Sequence, residues 1–100
     1  MDIIKNLEKG TFNAIFTGKF TFMDNPAFRS VLDSMLDKEV NQLVIEMKGV
    51  EFVDSAALGM LLLARDEAMK NNKKLIIKGI NGQVKKMFEL AHFEQFFNLA

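Results

Sequence analysis

The sequence predicts an α/β fold: a mixed β-sheet of about four to five strands covered by helices, in the order β-β-α-β-α-β-α. Two observations carry this. The opening segment alternates apolar and polar side chains around one turn signal, and from residue 24 onward stretches with helical spacing alternate with short apolar runs of strand length. A third observation sets the extent. No Gly/Ser- or Pro-rich linker, repeat or low-complexity block interrupts residues 1–100, and 100 residues at 49% hydrophobic content suffice for one core but not two. One domain spanning 1–100 is expected.

The elements follow in order. "IIKNL" (3–7) and "TFNAIFTG" (11–18) read as strands joined by a tight turn at Lys9-Gly10, with Phe12, Ala14 and Phe16 on one face of the second. In "DNP", Asp24 or Asn25 suits a helix N-cap and Pro26 its first turn, where a missing N–H is harmless. Phe28, Val31, Leu32, Met35 and Leu36 then form one apolar stripe, opposite a wet face of Ser30, Asp33, Ser34 and Asp37. "NQLVIEMKG" is a strand whose continuous Leu43-Val44-Ile45 run is expected where both faces of a sheet are buried. "FVDSAALGMLLLARDEA" (52–68) reads as the next helix, ending near "KNNKK", and "KLIIKG" (74–79) as a fourth strand. Asn81-Gly82 resembles a hairpin signal. The following Val84, Met87, Phe88 and Ala91 keep helical spacing, so a helix start is preferred. The closing "EQFFNLA" fits either a last strand or a packed tail. Crossovers between parallel strands are expected to be right-handed.

Composition narrows the function. Thirteen basic and thirteen acidic residues give zero net charge, and without Trp or Tyr, with ten Phe mostly at core spacing, a nucleic-acid platform is disfavoured. No cysteine is present, which removes disulfides, thiolate nucleophiles and Cys-based metal sites. The longest uncharged apolar run, "AALGMLLLA", is far short of the roughly 20 residues of a membrane span, and the amino terminus lacks the pattern of a secretory signal. A soluble cytoplasmic protein without cofactor or metal is the expectation. None of the six glycines builds GxGxxG or GxxxxGK[ST]. Glu89 and His92, three apart, make only half of a di-iron carboxylate motif, and a helix-end histidine explains them better. "KNNKK" suits a helix carboxyl terminus, where cations are favoured, and Asp66 with Lys70 suits a solvated i, i+4 pair. No acid–base or metal constellation marks an enzyme.

One segment remains to be explained. In "FVDSAALG", Asp54 or Ser55 would make a good N-cap, and on the residues alone the cap is the favoured reading. Beyond it, Ala57, Leu61, Ala64 and Ala68 form one stripe, while Leu58, Gly59 and Leu62 lie on the side of Ser55. An exposed serine, a close-approach glycine and leucines on one side would suit a docking surface; burial of both stripes is the plainer alternative.

At these residues the chain resembles the STAS family, the domain of bacterial anti-sigma factor antagonists. The likeness runs through "TGKFTF", "DNPAF", "QLVIEMKGVEFVDS", "LIIKGI" and "NGQVKKMFELA". It implies a STAS-like fold and a non-enzymatic partner switch in which Ser55, following Asp54, is the phosphorylation site. Leu58 and Gly59 match the family's Leu-Gly step, whereas Ala56 and Ala57 replace a commoner Ser-Gly pair. The implied partners are a serine kinase that is also an anti-sigma factor, bound by the unmodified form, and a PP2C-type phosphatase. Asp54, Ser55, Ala56, Leu58, Gly59 and Leu62 would form the partner-binding surface. No nucleic acid and no direct membrane insertion are implied. The alternative is a non-phosphorylated STAS adaptor subunit of a membrane transport complex, in which Ser55 serves only as a cap.

Overall fold

The computed structural model describes all 100 residues. Strands β1 (Asp2–Glu8) and β2 (Thr11–Phe20) form an antiparallel hairpin. Its turn residues Lys9 and Gly10 both have positive φ, 48° and 81°, as a two-residue turn matching the strand twist requires. The chain continues through α1 (Asn25–Asp33), β3 (Gln42–Val53), α2 (Ser55–Lys70), β4 (Lys74–Lys78), α3 (Gly82–Leu90) and β5 (Asn98–Leu99). Short 3-10 turns lie at Phe22–Asp24, Ser34–Leu36 and Phe93–Gln95. The closing segment therefore combines the two expectations for it: a packed turn, then a two-residue fifth strand.

The sheet order is β1-β2-β3-β4-β5, with β2 through β5 parallel. Right-handed crossovers between parallel strands laid down in sequential order place all three helices on one face. One hydrophobic cluster of 24 buried residues fills the space between the layers. Ala14, Ile45 and Ile77 stand in register across the sheet, and Phe16, Phe20 and Phe28 meet at centroid distances of 5.3–6.0 Å, two of the three pairs edge-on.

Two expectations change, and one is met in an unexpected way. Leu36 is 66% exposed, because α1 ends at Asp33 and the tighter winding of the 3-10 turn rotates Leu36 away while Met35 stays buried. Val44 is buried but lies outside the main cluster. It faces the side of the sheet that carries no helix, flanked in register by Asn13 and Ile76, so cross-strand neighbours cover it rather than a second layer. Finally, Phe52 and Val53 belong to β3, not to the helix. The strand runs 12 residues beside β2, and an extra β3 residue at each of two register shifts, opposite Ile15–Thr17 and Gly18–Lys19, lets the pair continue to Phe20↔Val53.

Candidate functional site

The carboxyl end of β3 delivers the chain to the tip of α2 through Asp54, in extended conformation at φ −100°. The Asp54 carboxylate is used twice. Oδ1 accepts from the Ala57 N–H at 2.8 Å, capping the helix, and Oδ2 accepts from the Phe22 N–H at 3.2 Å, tying the 3-10 turn after β2 to the same point. The Asp54 N–H donates to the Phe20 carbonyl at 3.3 Å. Of the two candidate caps, Asp54 is the one that caps. Ser55 occupies the first helical position, exposed, with no hydrogen-bond partner for its hydroxyl within the chain.

The rest of the predicted surface divides. Ala56 and Gly59 are exposed beside Ser55, and Leu62 is half-buried. Leu58 is only 8% exposed and packs in the core with Ala57, Met60, Leu61, Ala64 and Ala68. The helix thus buries a broad arc, which explains why its sequence shows no clean second stripe. Gly59 makes no close approach within the chain: a Cβ there would meet nothing within 4 Å.

Sequence reasoning missed three neighbours of the tip. Phe22 and Met23 are 67% and 76% exposed, held next to α2 by the Asp54 bond to Phe22. Their turn is fixed locally, since the Thr21 hydroxyl accepts from the Met23 N–H at 3.4 Å and the Thr21 N–H donates to the Asp24 carboxylate at 2.8 Å. The Thr21-x-x-Asp24 spacing is a legible cap signature for this turn, and with Asp24 so engaged, α1 begins without a side-chain cap. The third is Gln83, in the first turn of α3, whose amide accepts from the Val53 N–H at 3.0 Å and donates to the Val53 carbonyl at 3.1 Å. No local pattern announces a contact across 30 residues.

At the far end of α3, His92 sits past the helix terminus with φ 57°, and its Nδ1 lies 3.9 Å from the Glu94 carboxylate. No group of three or more His, Cys, Asp or Glu side chains is gathered where it would hold a metal ion. No helix is long and apolar enough to cross a membrane.

The chemistry available at the α2 tip is that of a free hydroxyl above helical N–H groups. A helix amino terminus favours negative charge, so an anion placed on Ser55 would sit where the backbone accommodates it. Comparison with known proteins agrees with this architecture. A STAS-domain containing protein of Pseudomonas aeruginosa is 30% identical over 83 residues, covering 83% of this chain and 81% of that protein. The fold is matched by the anti-sigma factor antagonist SpoIIAA in its unphosphorylated form (TM-score 0.78, 13% identity, 99% of this chain and 87% of that one). The phosphorylated form of Bacillus SpoIIAA matches as well (TM-score 0.77, 13% identity, 99% and 91%). So does an anti-sigma factor antagonist from Mycobacterium paratuberculosis (TM-score 0.83, 17% identity, 98% and 83%). The STAS domain pattern itself matches residues 9–100, and the chain belongs to the STAS domain family.

Proposed function

We propose that the protein is a regulatory partner switch of the anti-sigma factor antagonist type, controlled by reversible phosphorylation of Ser55. The carrying observation is the division of labour at the α2 tip: Asp54 supplies the cap, so the Ser55 hydroxyl is exposed and has no structural bond to lose. SpoIIAA, whose fold the chain shares, exists in unphosphorylated and phosphorylated forms, and both match with nearly equal TM-scores. In this reading the unmodified domain binds a serine kinase that also acts as an anti-sigma factor, and a PP2C-type phosphatase restores it after phosphorylation. The docking surface is Ser55, Ala56, Gly59 and Leu62, with Asp54 and the buried Leu58 holding it in shape and Phe22 and Met23 beside it.

A phosphoserine adds about −1.5 to −2 charges next to Asp54. The helix amino terminus tolerates them within the domain. Across an interface, like charges cost several kcal/mol, and each ~1.4 kcal/mol is tenfold in affinity, so release by about a hundredfold or more is the expected effect.

Phosphopeptide mass spectrometry on the protein isolated from its own cells with phosphatases blocked, with identification of what co-purifies, tests this. Phosphate on Ser55 together with a serine kinase or PP2C-type protein is the expected result. An unmodified Ser55 across growth conditions, with transporter subunits bound, would replace the switch by the adaptor reading.

A further inference from the structure

We propose that Gln83 is a positioning residue for the Ser55 tip, an inference that rests on the phosphorylation-switch reading and adds to it a residue on a different helix. The need for such a residue comes from the unequal lengths of two strands. β3 has 12 residues and β4 only five, so β4 pairs with β3 from Gln42 to Glu46 and leaves the remainder of that edge without a strand. Backbone groups at a buried position must find partners elsewhere, and Val53 is fully buried.

The amino-terminal end of α3 takes the place of the missing strand. The Asn81 side-chain amide donates to the Lys48 carbonyl at 3.1 Å, and the Gln83 amide exchanges two hydrogen bonds with Val53, at 3.0 and 3.1 Å. A carboxamide is the one uncharged side-chain group that offers a donor and an acceptor side by side, as a paired strand does. On its other edge β3 is held by β2, through Phe20↔Val53 and the bond from the Asp54 N–H to the Phe20 carbonyl. The residue two before Ser55 is therefore gripped from both sides, and one grip is a side chain of α3. Transfer to a hydroxyl depends on where that hydroxyl is held, and a displacement of about 1 Å can slow a reaction up to about 100-fold. Gln83 thereby couples the start of α3 to the presentation of Ser55.

The test uses the full chain carrying Gln83→Met, which keeps similar side-chain length and apolar bulk but loses both bonds. Val84→Ala serves as a control, since it truncates a fully buried side chain on the same turn while leaving both Gln83 hydrogen bonds to Val53 in place. Amide hydrogen exchange on the purified protein and Ser55 phosphate occupancy in its own cells are both read. In Gln83→Met, exchange at Val53 and Asp54, whose N–H groups are hydrogen-bonded on the two edges of β3, is expected to rise about tenfold or more relative to β2 amides. Occupancy of Ser55 is expected to fall at least about threefold, while Val84→Ala, at equal or greater loss of thermal stability, leaves occupancy unchanged. Unchanged exchange in Gln83→Met overturns the inference, as does an equal fall of occupancy in Val84→Ala, which would reduce Gln83 to general stability. If wild-type Ser55 carries no phosphate under any condition, the switch reading falls by itself. Exchange at Val53 and Asp54 then upholds or overturns the positioning role alone.

Discussion

At the carboxyl end of β3 the chain is fixed by directional bonds: the two Asp54 carboxylate contacts, the Gln83 pair on Val53 and the Thr21–Asp24 turn. At the opposite end, where the closing segment returns past the start of β4, it is fixed by packing. Phe93 stands 5.3 Å from both Phe88 and Phe97 and edge-on to Phe96 at 6.4 Å, and the Arg65 guanidinium lies 5.4 Å over the Phe96 ring. The difference has a functional meaning. Packing holds a segment by filling volume, which leaves no group idle. Hydrogen bonds hold the α2 tip through backbone and carboxylate atoms, so the neighbouring hydroxyl and the faces of Phe22 and Met23 stay available to a partner.

The largest effect should come from the packed end. Phe93→Ala removes a ring that is 5% exposed and anchored in the core, and is expected to cost about 3–5 kcal/mol in urea denaturation. A loss under about 1 kcal/mol would mean that the aromatic cluster contributes no more than the tip does, and the contrast between the two ends would collapse.

At the tip, Asp54→Ala should cost about 1–2 kcal/mol, because it leaves the Ala57 and Phe22 N–H groups without acceptors, and amide exchange should speed up at those two positions in particular. Its neighbour behaves otherwise. Ser55→Ala should stay within about 0.5 kcal/mol of the wild type, since the hydroxyl bonds to nothing in the chain. Equal losses in the two variants, measured by the same denaturation, would show that Ser55 shares the capping role and would weaken its claim to be a free acceptor.

How much of this was legible in the sequence follows from the range of each interaction. The hairpin at Lys9-Gly10, the α1 stripe from Phe28 to Met35 and the alternation of helices with strands are encoded locally, and the structure has them as the sequence predicts. The misreadings lie where the period breaks. Lys48-Gly49 looks like a strand end, yet β3 continues through two one-residue bulges to Val53; a 3-10 turn moves Leu36 off its stripe. The candidate site at the α2 tip is pointed to by the resemblance to the STAS family, while its residue types alone favour a helix cap and its internal arrangement is not legible at all. Choosing Asp54 over Ser55 as the cap takes side-chain geometry, and the apolar pair Phe22–Met23 and the amide of Gln83 reach the tip only through tertiary contacts of 30 residues or more. Leu58, which the resemblance places on the partner-binding surface, is buried instead, and the spacing of a broadly buried helix does not reveal where its wet face begins.

A small effect of opposite sign carries the sharpest question about the docking surface. Glycine inside a helix is less favourable than alanine by about 0.8–1 kcal/mol, because its backbone loses more freedom on folding. Gly59 lies near the middle of the first half of α2, exposed, with open space where a Cβ would stand, so nothing in the domain itself asks for glycine there. Gly59→Ala is accordingly expected to raise stability by about 0.5–1 kcal/mol, a shift of several degrees in thermal midpoint for a chain of this size. A rise would mean that the fold tolerates a side chain at this place and that the reason for glycine lies outside the domain, in the close approach of a partner beside Ser55. A fall would assign Gly59 to the packing of the tip itself, and the docking surface would then contract to Ser55, Ala56 and the apolar pair at Phe22 and Met23.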